Sequence, residues 1–99
     1  RGAQTFYSTA HERSADLASL IQDSLRRNLQ NTDRVSKEID RPIYLLTELK
    51  IPSALVEIGF LSNPEEARLM AQSGYQLKVA AAIYQGILRY FTGEKTEQS

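Results

Sequence analysis

SALVEIGFLSNPEE, Ser53 to Glu66, decides how the rest of the chain is read. Ala54, Leu55, Val56, Ile58, Phe60 and Leu61 form a strand-like apolar run with one carboxylate, Glu57, in its middle. Burying an unpaired carboxylate costs on the order of several kcal/mol. Glu57 therefore needs a partner, a metal-site role or an exit to solvent. The run ends where a helix begins. Asn63 is a good N-cap, Pro64 suits the first helical position, and Glu65 and Glu66 favour the positive end of the helix dipole. This helix is expected to reach about Ala71.

Upstream of this stretch, Ile51-Pro52 is held extended, because proline disfavours the helical region for its predecessor. The strand after it, Ala54 to Phe60, is apolar on both faces, as a central strand of a covered sheet is. Ile43 to Thr47, IYLLT, reads as another strand. The polar segment Asn28 to Pro42 reads as a long connecting loop. Before it, Leu17, Leu20, Ile21, Leu25 and Leu29 mark one face of a helix. Thr9 and Glu12 form a capping-box pattern at its start. Ala3 to Tyr7 is a short strand candidate.

Downstream, Ser73 and Gln76 give a second capping-box pattern. A last helix from about Gly74 to Phe91 carries Leu77, Ala80, Ala81, Tyr84, Ile87, Leu88 and Phe91 as its expected apolar stripe. Gly93 stands where a C-terminal cap belongs, and Glu94 to Ser99 reads as a disordered polar tail. The order is strand, helix, strand, strand, helix, helix, an α/β arrangement.

The chain has 99 residues, which fits one domain or a piece of one. At this size about 60–70% of the unfolded surface is buried, so one modest core is the limit. Hydrophobic residues make up 41% and twelve basic residues balance twelve acidic ones, so no basic stripe points to nucleic acid. No apolar run reaches the roughly 18 residues of a membrane span. The absence of cysteine excludes disulfides and thiolate metal sites. The chain opens at Arg1 and is in strand-like sequence by Ala3, which leads to the expectation that a segment precedes it.

Several residues are candidates for chemistry. Leu55, Glu57, Gly59 and Leu61 would share one strand face, with Gly59 leaving room for a ligand beside Glu57. Ligands of open α/β sheets sit beyond the C-terminal strand ends, where Glu57 falls. Glu57 then reads as a general acid/base against a partly apolar wall, or as half of a salt bridge to a neighbouring Arg or Lys. His11 is the only histidine, and one histidine cannot make a zinc site that takes three or four ligands. Glu65 and Glu66 are candidate ligands by residue type, but first-turn electrostatics account for them. The five tyrosines read as core or rim packing. Arg34 and Lys37 sit on the polar loop, solvated or facing an anionic substrate. No nucleophile elbow, phosphate loop or dinucleotide fingerprint is present.

The run PSALVEIGFLSNPEEARLM, Pro52 to Met70, followed by GYQLKVAAAIYQGILRYF, Gly74 to Phe91, resembles the C-terminal half of the zinc-dependent N-acetylmuramoyl-L-alanine amidases. The opening RGAQTFYS looks like the strand that follows the second zinc histidine in that family. The resemblance covers residues 1 to 92 and centres on LVEIGFLSN. It implies a mainly parallel central sheet with helices on both faces, of which this chain is only the C-terminal part: residues 1–93 as part of one catalytic domain and 94–99 as the tail.

It also implies a zinc ion, held by two histidines and a glutamate, that polarises the amide between N-acetylmuramic acid and L-alanine and activates a water. A separate glutamate in the V-E-x-G-F segment acts as general base and acid, and here that position is Glu57. The family's ligand segments, resembling G-H-G-G, a following glutamate and H-x-N, are absent from this chain, so no metal ligand is assigned. The chain alone is expected to bind no zinc and to be inactive.

The substrate implied is the glycan-peptide of peptidoglycan. Expected partners are the remaining part of the same domain or an activator protein, with no nucleic acid and no membrane span. The place implied is extracytoplasmic, at the bacterial cell wall or spore cortex. The short Asn28–Pro42 connection lacks the long insertion, holding a blocking helix, of the division-associated members. HERSADLASLIQDSLRR and IYLLTELKIPSALVEIGFLSN look most like the sporulation and germination members. A non-catalytic module binding cell wall or a protein partner is the alternative, and it expects Glu57 tied up in an ion pair.

Overall fold

The computed structural model describes residues 2–41 and 43–96. Its elements run β1 (Gln4–Tyr7), α1 (Ser14–Leu29), β2 (Lys37–Glu38), α2 (Tyr44–Glu48), β3 (Leu55–Glu57), α3 (Pro64–Met70) and α4 (Ser73–Phe91). The sheet has the order β2-β1-β3, with β1 parallel to β2 and antiparallel to β3. It is mixed, and its centre is β1. The strand expected at the centre, Ala54 to Phe60, is ordered as a strand only over Leu55–Glu57 and stands at the edge.

One face of the sheet carries the core. Ala3 joins Ile21 and Leu25 of α1 and Tyr75, Val79 and Ala82 of α4, with Ala54, Val56 and Ile58 packed against them. Burial of this apolar surface is the main stabilising term of the fold. The two long helices meet at Gly86. A Cβ built there would lie 2.5 Å from Ile21 Cα and 2.9 Å from its nitrogen. Only glycine allows the backbones this close.

That contact fixes which face of α4 is buried. Tyr75, Val79, Ala82, Gly86 and Tyr90 point inward, at helical spacing on one side. Most of the expected stripe is outside: Leu77, Tyr84, Leu88 and Phe91 are exposed, as are Ala80 and Ala81, and only Ile87 of that set is half-buried. The helix carries two apolar stripes, and packing against α1 selects the one with the smallest residue at its middle.

β1 is held on its β2 side by side chains as well as by a strand. The Ile39 N–H bonds the Tyr7 carbonyl at 2.7 Å, but β2 reaches no further up. There Gln22 of α1 takes over: its Oε1 accepts the Thr5 N–H at 2.7 Å, and its Nε2 donates to the Ala3 and Arg34 carbonyls, each at 3.0 Å. The Thr32 hydroxyl adds a bond to the Ala3 carbonyl at 2.9 Å. A buried glutamine is tolerable because its amide is satisfied in this way.

Other local readings shift. Ile43–Thr47, expected as a strand, gives the short helix α2; a brief apolar run cannot be assigned by periodicity alone, and only Leu46 of α2 is buried. α1 starts at Ser14 rather than beside Thr9, and its N-cap, Arg13, makes no side-chain cap. Ser73 is already helical, while Gln76 Nε2 reaches back to the Met70 carbonyl at 2.9 Å instead of closing a capping box.

Asn63 caps α3 as its sequence indicates, accepting the N–H groups of Glu65 and Glu66 at 3.0 and 3.1 Å. Gly93, at φ 82°, ends α4 in a left-handed turn. Its N–H bonds the Tyr90 carbonyl and that of Glu94 bonds the Arg89 carbonyl, both at 3.1 Å, the paired bonding of a Schellman motif.

That turn lays the next residues against α1. Arg89 bonds Asp23 at 2.9 Å and Glu94 at 2.6 Å, and Lys95 pairs with Asp16 at 2.6 Å. Ser19 and Thr96 share a hydroxyl contact. The Arg89 side chain holds the Glu94 carboxyl below its ordinary value. The Arg89 guanidinium is pushed up, by Glu94 first and Asp23 after it, against an opposing contribution from burial. The segment expected as a disordered tail is thus bonded from Glu94 to Thr96, and residues 97–99 lie outside those described.

Candidate active site

Glu57 is the last residue of β3. In the ladder it stands opposite Gln4, and Leu55 stands opposite Phe6. Cross-strand partners share a face, so Gln4, Phe6, Leu55 and Glu57 lie on the side of the sheet away from the α1–α4 core. Pairing of Phe6 with Lys37 puts Lys37 on the same side. The strand alternation expected around Glu57 is therefore met at Leu55 and Glu57.

It is not met at Gly59, because β3 has already ended. A Cβ on Gly59 would come within 2.6 Å of Met70 Sδ and 3.2 Å of Glu66 Oε1. The ends of two α3 side chains, Met70 and Glu66, thus occupy the space beside Gly59 that was expected to stand open for a ligand. Glu66 accordingly does more than complement a helix dipole. It is buried, and its Oε1 accepts the Gly2 N–H at 3.2 Å, joining the start of β1 to α3 next to the segment that follows Glu57.

The immediate partner of Glu57 is Arg41. Arg41 Nη2 lies 3.0 Å from Glu57 Oε2, with the two side chains 48% and 36% exposed. The Arg41 guanidinium sits over the Phe6 ring, 5.7 Å from its centroid. A second guanidinium flanks the same site: Arg34 Nη1 donates to Gln4 Oε1 at 2.7 Å and lies 5.8 Å from the centroid of Phe60. Gln4 Nε2 in turn holds the Val35 carbonyl at 3.1 Å. Arg34, singled out on the polar loop, thus reaches the site's face, and Lys37 points the same way. Arg41, Gln4 and Phe6 were not legible as site residues. The signal that could have found them was the β1–β3 register, which sequence spacing does not supply.

The ion pair meets the salt-bridge alternative for Glu57. Its energetic weight is small, because pairs this exposed contribute about 0–1 kcal/mol. Such a pair is made and broken readily. Glu57 is therefore a partly solvent-exposed carboxylate paired with one exposed cation.

The donor set does not fit a zinc ion. Among the described residues no group of three or more His, Cys, Asp or Glu could hold a metal. His11 lies in the turn before α1, where its Nδ1 accepts the Arg13 N–H at 3.1 Å. Two of the tyrosines, Tyr75 and Tyr90, pack in the core, the role expected of them. Among the described residues no helix is long and apolar enough to cross a membrane.

Known proteins match this chain along nearly its whole length. Residues 1–89 match the family model described as N-acetylmuramoyl-L-alanine amidase. A germination-specific N-acetylmuramoyl-L-alanine amidase of Bacillus subtilis (strain 168) is 54% identical over 91 residues, covering 92% of this chain and 38% of that protein. The amidase LytC of the same organism is 36% identical over 92 residues, covering 91% of this chain and 18% of its own length. Among solved structures, the CwlD amidase from Clostridioides difficile in complex with the GerS lipoprotein superposes with a TM-score of 0.87 at 44% identity, covering 94% of this chain and 47% of that one. This chain spans less than half the length of each of these relatives.

Proposed function

The chain belongs to the N-acetylmuramoyl-L-alanine amidase family, and we propose that the protein carrying it hydrolyses the amide between N-acetylmuramic acid and L-alanine in peptidoglycan. Residues 1–93 are read as the C-terminal portion of one catalytic domain. The whole domain's sheet is read as mainly parallel, with helices on both faces; the mixed three-stranded sheet described above would be one end of it.

Glu57 is the general acid/base in this reading. The supporting observation is its position: a half-exposed carboxylate on the sheet face away from the core, paired with a cation, inside the segment that resembles the family's V-E-x-G-F. In the reaction its carboxylate takes a proton from water as the water oxygen bonds to the lactyl carbonyl carbon. It then gives a proton to the L-alanine nitrogen as the C–N bond breaks. The products are a lactyl carboxylic acid and a stem peptide with a free amino terminus. The described residues of this chain do not fit a zinc ion, so the zinc that the family resemblance implies is assigned to segments of the longer relatives that this chain does not span.

The remaining assignments follow from the relatives. The place of action is extracytoplasmic, at the cell wall or spore cortex, in sporulation or germination, in keeping with the germination-specific relative. An activator protein is a reasonable partner, since one solved relative is in complex with a lipoprotein. The alternative, a non-catalytic wall-binding module, draws on the Glu57–Arg41 pair, but that pair is too exposed to lock the carboxylate.

Muropeptide hydrolysis by the full-length protein separates the two. Replacement of Glu57 by Gln should abolish turnover while leaving zinc content and melting temperature near the parent values. Full turnover in that variant removes Glu57 from the mechanism, and a parent protein that binds wall without cleaving it supports the alternative. Residues 1–99 alone should neither bind zinc nor cleave.

A further inference from the structure

The face that carries Glu57 has more positive than negative groups. Arg34, Arg41 and Lys37 stand on it or reach it, against Glu57, with Asp40 at the rim 3.7 Å from Arg41 Nη1. Both guanidiniums lie over phenylalanine rings, which fixes flat cations without consuming their edge N–H groups. Arg41 differs from Arg34 in one respect. Its bonding partner on this face is the carboxylate proposed to do the chemistry, and while the pair persists Glu57 Oε2 is occupied by an N–H donor.

We propose that Arg41 is the specificity-determining residue of the site: it recognises a carboxylate of the substrate and releases Glu57 on binding it. The inference rests on the reading of Glu57 given above. The ligand it takes is a peptide carboxylate, which the planar guanidinium binds bidentately. The carboxylate that fits is the α-carboxyl of the residue after L-alanine, in its free rather than its amidated form. It lies one residue from the scissile amide, a span of at most about 3.6 Å per residue. A guanidinium 3.0 Å from Glu57 is within reach of that group when Glu57 touches the scissile nitrogen. The free carboxylate would then replace Glu57 as the partner of Arg41, and the amidated peptide would not.

The test uses the full-length protein and two synthetic muramoyl peptides, identical except for carboxylate or carboxamide at the second residue. The parent should prefer the carboxylate peptide by about tenfold or more in kcat/KM, carried by KM, as expected when a site pairs a charged group that the analogue lacks. Arg41→Gln should bring the ratio close to one by weakening the carboxylate peptide. Arg41→Lys, which keeps the charge without the fork, should give an intermediate ratio and covers the case in which the Gln variant folds poorly. Equal parent rates on the two peptides overturn the proposal, as does a preference that survives in Arg41→Gln. Calorimetric binding of both peptides to Glu57→Gln separates the two readings. Parent-like turnover in that variant defeats the role of Glu57, whereas a large loss of turnover with equal binding of the two peptides defeats the role of Arg41 alone.

Discussion

The two faces of the sheet are built on different principles. On the α1–α4 face nearly every group is fixed: Gln22 has its amide satisfied by three backbone groups, and Gly86 brings two helices into backbone contact. On the other face Glu57, Arg41, Arg34 and Lys37 are charged, and their contacts are ion pairs, ring stacking and single hydrogen bonds. The difference separates stability from chemistry. Substitutions on the first face should alter folding, and those on the second should alter turnover.

The largest expected effect tests that separation directly. Glu57→Gln should lower kcat of the full-length protein by about 10²–10⁴-fold and shift its urea midpoint very little, because the lost pair is half-exposed. A comparable loss of stability would show that the site face also holds the fold together. Next comes Gly86→Ala. The added methyl meets the Ile21 backbone, so the helices must move apart, at a cost of about 2–3 kcal/mol after the gain in helix propensity. Equilibrium unfolding reads it, and an unchanged midpoint would mean that the helix crossing is loose.

Gln22→Ala crosses the two faces. It strands the buried Thr5 N–H and frees the Arg34 carbonyl, so about 2 kcal/mol of stability should go. A several-fold fall in kcat/KM should accompany it, since the same glutamine anchors the loop that carries Arg34 to the site. A stability loss with no kinetic change would confine Gln22 to the core.

The smallest effect is at the tail. The Glu94 carboxyl is held below its ordinary value by Arg89. Its contribution is therefore complete above the unfolded value of 4.5 and is lost as pH falls through the lower folded value. The protection factor of the Glu94 amide, referred to the intrinsic rate at each pH, should fall in acid before any global unfolding. A tail equally protected at pH 7 and pH 3 would mean that the charge pairing does not hold it.

Sequence legibility followed locality. The Asn63 cap and the approximate extents of α1, α3 and α4 depend on neighbours in the chain, and they were readable. The α4 face was not, because Leu77, Tyr84, Leu88 and Phe91 form as good a stripe as the buried one; the choice is made by Ile21, more than sixty residues away from Gly86 in sequence. IYLLT was misread because five apolar and neutral residues carry no period long enough to separate helix from strand. Glu57 stood out as a charge in an apolar run, yet its partner Arg41 did not, since sixteen residues and two changes of chain direction lie between them. Gly59 was read as leaving room beside Glu57, and the ends of the Met70 and Glu66 side chains stand in that space.

The bond from Thr5 N–H to Gln22 Oε1 gives the sheet an internal reporter. An amide in mid-strand ordinarily exchanges with solvent when its ladder opens. Thr5 is secured by a helix side chain instead, so its exchange rate measures how often α1 lifts from β1. Compared with the ladder amide of Ile39, it would distinguish undocking of the helix from fraying of the β2 edge in a single spectrum.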